Sequence, residues 1–458
     1  MAALLVVGAI MTGCSSDDNI DNPQQPANND NVVTVTATVS LDGGAQTRAI
    51  TPSTGAKTFE ATNKIAVIYK NTTGSGETVK AESGTLTLSA DGTKATFTVT
   101  LTNPATNSAV RYIYPATMAK ATIATDATIT DDATIDYTGL LDSQNGNLTT
   151  LGTNYDLAVF DGSLSGTDLP ASASLTNPLA VCKFTLKDGD TDITSSVTSL
   201  NVSNGTNTYH VTPSSLSAIY VAMKPVASGN IAFTAATGSK TYFKTTASAQ
   251  TLAASKLYTN ITVSMEELAI GKVFGADGKI YADATAATTA GTSAVAKITY
   301  LGSEAETSTT YNHGLALALE DVSDKKTWCS QTSATCLSTQ YSSATDAKGD
   351  MAGVANTDAL CSHASHTHAA AKAARDYSVT RPAGTSTWFL PSAGQWDKMA
   401  TAAGGYANLK TNAGLQSYYY WSSSELNAYY AWYFGAVIGY WYDDYKGLDF
   451  LVRSCLAF

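Results

Sequence analysis

The sequence predicts a mainly β chain: two antiparallel β-sandwich units followed by a C-terminal α+β unit. Three observations carry that expectation. From Val32 to about Met265, apolar and polar residues alternate with period 2 in short runs separated by turn residues. Beyond Met265 the pattern changes and helix-forming stretches enter. The 458 residues also exceed what one core usually organises.

Met1 to Met11, "MAALLVVGAIM", is apolar, too short to span a bilayer and followed by small residues, as in a secretory signal peptide over residues 1–13. It lacks a basic start, so either the true initiation site lies upstream, which is the favoured expectation, or the signal is atypical. The run ends in "MTGC", where the small pair before Cys14 resembles a bacterial lipobox that makes Cys14 the acylated residue. "SSDDN" follows, and resembles the acidic tag that sends Bacteroidetes lipoproteins to the outer face of the outer membrane. Residues 14–31 are polar with Pro23 and Pro26, which reads as a disordered tether.

The strands come next. "VVTVTATVSL" (Val32 to Leu41), "KIAVIYK", "GTLTLSADGTKATFTVTL" and "RYIYP" make a first unit over residues 32–165. Within it Asp91-Gly92 stands between two alternating runs, a strong hairpin signal. "AVCKFTL", "VTSLNVS", "AIYVAMKP", "NIAFTAATGSKTYFKTT" and "LYTNITVSM" make a second over residues 166–267, with no long helix-period stretch in either. "TRA" at Thr47 to Ala49, "KTFEATNKIAVIY", "AVCKFTLKDG", "YVAMKP" and "LAASKLYTNITVSM" together resemble the fimbrillin-like subunits of Bacteroidetes type V pili. The resemblance implies a lipidated precursor cut after an Arg, here between Arg48 and Ala49. Loss of the first strand then opens a groove that accepts a strand from another pilus subunit, backbone hydrogen bonds giving affinity and alternate side chains giving register.

Residues 268–458 form the third unit. "GADGKIY" signals a hairpin turn, "HGLALALEDV" an aliphatic strand, and "HTHAAAKAARDY" an Ala-rich helix. Ser392 is placed to cap a further helix that carries Trp396 and Met399 on one face. Nine of the 24 Tyr and three of the six Trp fall between Tyr418 and Tyr445, interleaved with Ser, Asn, Asp and Gly. Tyr, Ser, Asn and Gly in that mixture suit a recognition surface better than a core.

"GLALALED", "WFLPSAGQW", "YWSSSE", Ala431-Trp432, Gly439, Lys446 and "VR...LAF", in that order, resemble the C-type-lectin-like domain of variable proteins diversified by bacterial retroelements. That resemblance implies a compact α+β fold with two helices, whose last strands and loops display the variable residues. Trp421, Ser422, Ser423, Glu425, Trp432, Gly439, Lys446 and Arg453 then form the scaffold. The ligand-binding residues it implies are Asn427, Tyr429, Tyr430, Tyr433, Tyr440, Tyr442, Asp443, Asp444, Tyr445 and Asp449. Ala436 stands where a large aromatic is expected, which leaves a gap unless Val437 and Ile438 fill it.

Composition and motifs exclude much else. The net charge of −11 without a Lys/Arg cluster gives no footprint for nucleic acid. No phosphate loop, nucleophile elbow or paired catalytic acids appear, and Cys455 in "CLAF" does not supply the reactive Cys pair of formylglycine-generating oxidases that share the lectin-like fold, so no enzyme and no cofactor are expected. "CSHASHTH" (Cys361 to His368) meets no recognised zinc spacing, and Asp443 with Asp444 are too few for calcium, so no metal site is expected. Cys329 and Cys336 are close enough to pair across a loop or to remain thiols. The reading that follows is a lipid-anchored adhesin at a pilus tip, on the outer-membrane surface or fimbrium of a Gram-negative bacterium, with a protein or glycan ligand. A chain that ends at Phe458 inside a folded unit accepts a donor strand more easily than it gives one. The alternatives are a structural pilus subunit that uses the aromatic surface for assembly, and a non-pilus outer-membrane lipoprotein that binds glycans.

Overall fold

The computed structural model describes residues 31–41, 58–72, 76–155, 157–307, 309–311, 313–330, 333–436 and 439–458. Cys14, Arg48 and Ala49, with the expected signal peptide, lie outside the described residues. The architecture is mainly β with an α+β C-terminal part, as the alternation predicts. No helix among the described residues is long and apolar enough to cross a membrane.

The first unit is a sandwich of two four-stranded sheets. One runs Thr87–Leu88, Lys94–Thr102, Val32–Leu41, Ser172–Leu175; the other runs Thr78–Glu82, Ala66–Lys70, Ala109–Tyr114, Ala158–Ser163. Alternation explains the layering, because successive side chains on a strand point to opposite faces. Val35, Ala37, Val39 and Leu41 enter a core shared with Phe97, Val99, Val67 and Tyr112. The threonines between them face out and pair across the strands, with Thr34, Thr36 and Thr38 hydroxyls 3.4, 3.2 and 3.0 Å from those of Thr100, Thr98 and Thr96. The Asp-Gly hairpin forms as expected: Thr87 and Leu88 pair with Thr96 and Ala95, and Gly92 takes a positive φ of 66°.

Three features depart from the sequence expectation. Val32–Leu41 pairs in parallel with Ser172–Leu175, and Ala180–Asp188 pairs in parallel with Lys256–Glu267, so the sheets are not wholly antiparallel. Ser172–Leu175 completes the first sandwich, although a boundary after residue 165 assigns it to the second unit. Short helices Asp131–Thr134, Thr138–Asp142 and Leu148–Asn154 also interrupt the strands. They are too short to show a helical period, and tertiary contacts hold them: the Gln144 side chain donates to the Ala222 carbonyl and accepts from its N–H, at 2.8 and 2.9 Å.

The second unit is built on an eight-stranded sheet in the order Thr191–Asp192, Ala180–Asp188, Lys256–Glu267, Thr241–Thr245, Ala232–Thr237, Val197–Ser203, Thr208–Val211, with Ile219–Met223 also on Ala180–Asp188, and a separate two-stranded sheet pairs Val226–Gly229 with Gln250–Leu252. Phe184 and Phe233 stand on strands three places apart, yet their rings meet at 5.1 Å. Neighbouring strands lie about 4.8 Å apart, so the sheet must fold over on itself to close a core.

In the C-terminal unit, Ile280–Tyr281, Val273–Gly275, Ala294–Leu301, Gly314–Ala318 and Cys455–Ala457 form a five-stranded sheet. Every residue of Gly314–Ala318 is buried, which fits its unbroken aliphatic run. The "GADGKIY" hairpin forms between Val273–Gly275 and Ile280–Tyr281. Phe274 links this sheet to Phe243 of the second unit and to Phe458, with ring centroids 5.1 and 5.2 Å apart. Helix Ala369–Arg375 occupies the Ala-rich stretch. Helix Ala393–Ala402 starts at a capping box: the Ser392 hydroxyl accepts from the Gln395 N–H, and the Gln395 side chain accepts from the Ser392 N–H. Its buried face carries Trp396 and Met399, as predicted. Helices Ala284–Thr289, Ala344–Ala347, Gly353–Cys361 and Tyr406–Ala413 add to the two that the lectin-like resemblance implies.

Candidate functional site

The aromatic stretch folds into a three-stranded antiparallel sheet, Tyr419–Glu425, Tyr430–Gly435 and Tyr440–Tyr445, with the last strand at the edge. Directly opposed residues in such a pair share a face. The register places Tyr430 opposite Tyr445, Trp432 opposite Asp443 and Phe434 opposite Trp441. The other face carries Ala431 opposite Asp444, Tyr433 opposite Tyr442 and Gly435 opposite Tyr440. Both faces are covered towards the centre. Phe434 stacks on Trp396 at 5.3 Å and packs on Trp441, while Tyr433 lies among Tyr419, Trp421 and Phe450.

What stays exposed is the rim. Eight large hydrophobic side chains are exposed among the described residues, and six of them lie here: Tyr429, Tyr430, Tyr440, Tyr442, Tyr445 and Leu448. Tyr440 is the most open, at 64%. Because the exposed tyrosines divide between the two faces of the edge strand and its turn, they form a ridge rather than one flat patch.

The structure sorts the ten predicted contact residues. Tyr429, Tyr430, Tyr440, Tyr442, Asp443, Tyr445 and Asp449 are exposed. Asn427 is exposed too, but its side-chain oxygen accepts from the N–H groups of Tyr429 and Tyr430 at 2.8 and 3.0 Å, so it shapes the turn. Asp444 is half-buried. Tyr433 is a correction: only 7% of it is exposed, because its strand is central and its face is packed by Phe450. Leu448 is absent from the predicted set and belongs with the exposed group, as its place beside Gly447 in a turn suggests.

Apart from Gly439, which is half-buried, the scaffold residues are all buried. Trp421 donates its indole N–H to the Lys326 carbonyl at 2.8 Å, and Trp432 donates to that of Tyr341 at 2.9 Å. Ser422 bonds the Trp432 carbonyl at 2.7 Å, and the Ser424 hydroxyl bonds Asp350 at 2.6 Å. Gly439 has a φ of +72°, which a side chain rarely adopts, where the chain turns into the edge strand. Ala436 is buried in the core cluster that holds Trp396, Phe434 and Trp441; Val437 and Ile438 lie outside the described residues. Lys446 and Glu425 form an ion pair with no exposure on either side chain. Lys446 also donates to the carbonyls of Ala334 and Ala428, and Glu425 accepts from the N–H groups of Cys336 and Leu337. The pair therefore fastens the 334–337 loop to the base of the hairpin. Arg453 is held likewise by Asp321 and by the carbonyls of Ala318 and Leu319.

A second grouping lies against this scaffold. Cys329 Sγ is 3.8 Å from Cys336 Sγ and 3.9 Å from His368 Nε2. Their separation in sequence hid the cluster; of the "CSHASHTH" ligands only His368 joins it, and the two thiols come from another loop. Cys455 is fully buried, and burial pushes its thiol well above the usual cysteine range, which removes it as a nucleophile.

No protein-family model matches the chain, and no curated protein matches it. Among solved structures it is similar to a fimbrial protein from Bacteroides ovatus, at 14% identity and a TM-score of 0.35 over 94% of this chain and 100% of that one. A fimbrial assembly protein from Parabacteroides distasonis aligns at 10% identity and a TM-score of 0.26, over 48% of this chain and 86% of that one. A minor pilin of Streptococcus agalactiae aligns at 12% identity and a TM-score of 0.22, over 51% and 97%.

Proposed function

We propose that this chain is a cell-surface adhesin of a pilus, with a lectin-like C-terminal unit, residues 268–458, that binds a protein or glycan through its tyrosine ridge. One observation carries the reading: six of the eight exposed large hydrophobic residues among those described gather on one hairpin and the turn after it. Contiguous exposed apolar surface on an otherwise polar protein marks an interaction site. Tyrosine offers a broad rigid face and a hydroxyl at low entropy cost, which suits sugars and proteins alike.

The pilus part of the reading draws on the first strand. Val32–Leu41 lies between Lys94–Thr102 and Ser172–Leu175 and buries Val35, Ala37, Val39 and Leu41. Cleavage between Arg48 and Ala49 and release of this strand leave a groove with apolar sites at every second position, the template a donor strand requires. Lipid on Cys14 anchors the precursor to the outer membrane, and diversification by a retroelement accounts for the residue alphabet of the ridge.

The test uses the full chain and its Tyr430→Ala, Tyr440→Ala and Tyr442→Ala variants on glycan and bacterial or host surface-protein arrays. The best hit should weaken about 30-fold or more, about 2 kcal/mol, in at least one variant whose melting temperature is unchanged. A hit that all three variants retain in full sinks the proposal.

A further inference from the structure

Cys329, Cys336 and His368 meet in the scaffold just beneath the ridge, and adhesion as proposed above makes no use of them. Two thiols in plain contact give the same 3.8 Å separation as two metal-bound thiolates, so the sulfurs alone decide nothing. The imidazole adds the second observation. His368 is 2% exposed, its Nδ1 has no hydrogen-bond partner among the described residues, and its Nε2 faces a sulfur at 3.9 Å instead of an oxygen. Buried polar side chains almost always find a proper partner; an ion at Nε2 replaces the weak sulfur contact with a coordinate bond, and Nδ1 then keeps the ring proton and needs a water or other acceptor of its own.

We propose that these three side chains bind one divalent zinc-type metal ion. Zinc takes thiolate at about 2.3 Å and imidazole at about 2.0 Å in a tetrahedron; those lengths put sulfur about 3.8 Å from sulfur and about 3.5 Å from nitrogen. The observed 3.8 and 3.9 Å come within about 0.4 Å of two edges of that arrangement, and all three ligand atoms lie within 4.8 Å of one another. Two thiolates cancel a divalent charge, and the nearby Lys446 ammonium is already neutralised by Glu425. Soft sulfur ligands favour zinc over calcium or magnesium. Cys336 is half-buried, which leaves the fourth position open to water or an outside ligand.

The ion ties the ridge to its base. The Cys329 N–H donates to the Lys446 carbonyl at 3.3 Å, the Cys336 N–H donates to Glu425, and the Lys446 N–H donates to the Tyr429 carbonyl at 3.0 Å. Metal binding at this point joins the loop after Trp328, the start of helix Ala369–Arg375 and the hairpin turn.

The experiment takes the reduced full chain, strips it with a chelator and adds Zn2+ or Co2+ alone. One zinc per chain is expected by native mass spectrometry, and cobalt should give thiolate charge-transfer bands with the visible bands of a tetrahedral site. Loss of a ligand should weaken uptake by more than the roughly 10- to 100-fold that loss of a supporting partner costs. Cys336→Ser and His368→Gln should therefore fail to bind, while Cys361→Ser, with its exposed thiol outside the cluster, binds as the parent does. The metal-free melting temperatures of the variants show whether they fold; if they do not, the cobalt spectrum of the parent decides alone. No bound metal, uptake that survives Cys336→Ser, or a Cys329–Cys336 disulfide in protein extracted from the cell surface overturns the proposal.

Discussion

Trp421, Tyr433 and Tyr440 sit within one small sheet and should respond oppositely to truncation. Trp421 has no exposure, packs 4.4 Å from the Phe450 ring centroid, and spends its indole N–H on the Lys326 carbonyl. Trp421→Ala removes a buried aromatic, about 3 to 5 kcal/mol, and strands that carbonyl for about 1 kcal/mol more. Tyr433, at 7% exposure between Tyr442 and Phe450, should lose about 3 kcal/mol as Tyr433→Ala. Tyr440 is 64% exposed. An aromatic buries about 200 Å² when fully enclosed, so the remaining third is worth at most about 1 to 2 kcal/mol at 25 cal/mol per Å², and less against a compact unfolded chain. Tyr440→Ser should therefore cost no more than about 1 to 2 kcal/mol, well below Trp421→Ala. Urea unfolding of the full chain, followed by near-ultraviolet circular dichroism, measures all three. If Tyr440→Ser destabilises as much as Trp421→Ala, the ridge is part of the core and the adhesin reading falls.

Removing one member of the buried Glu425–Lys446 pair leaves an uncompensated charge, so Lys446→Met should cost about 3 to 5 kcal/mol by denaturant melt; Glu425→Gln with Lys446→Met should recover part of this, and equal loss in both refutes the account. A chain that starts at Ala49 lacks four buried side chains of Val32–Leu41, each worth about 1.5 to 3 kcal/mol or less for alanine, so it should melt lower and regain stability with a peptide of residues 31–41. Indifference to the peptide argues against the strand-exchange groove. His313 joins the second and terminal units, with Nδ1 3.3 Å from Asn201 Nδ2 and its backbone N–H donating to the Phe458 carbonyl. Burial, and then the His210 charge, push it down to about 4. The unfolded imidazole takes its proton near pH 6.5 and the folded one near 4, so the stability is complete above pH 6.5 and falls towards pH 4 by about 3 kcal/mol. His313→Leu should flatten that part of the pH profile, and an unchanged slope removes His313 as the cause.

Much of this protein is written locally in its sequence. The period-2 runs specify strands because strand side chains alternate faces, the Asp91-Gly92 turn specifies its hairpin, and Ser392 with Gln395 specifies a helix start. The mixture of Tyr with Ser, Asn, Asp and Gly likewise announces a displayed surface near the C-terminus. Tertiary structure alone decided the rest. Strand partners come from distant segments, so the parallel pairing of Val32–Leu41 with Ser172–Leu175 has no local signature. Tyr433 and Tyr442 are the same residue type on opposed strands, and only the central position of the first strand and the edge position of the second bury one and expose the other. His368 met Cys329 and Cys336 for the same reason: a ligand cluster is a property of distances in space, and sequence spacing reports those distances only within a single turn or helix.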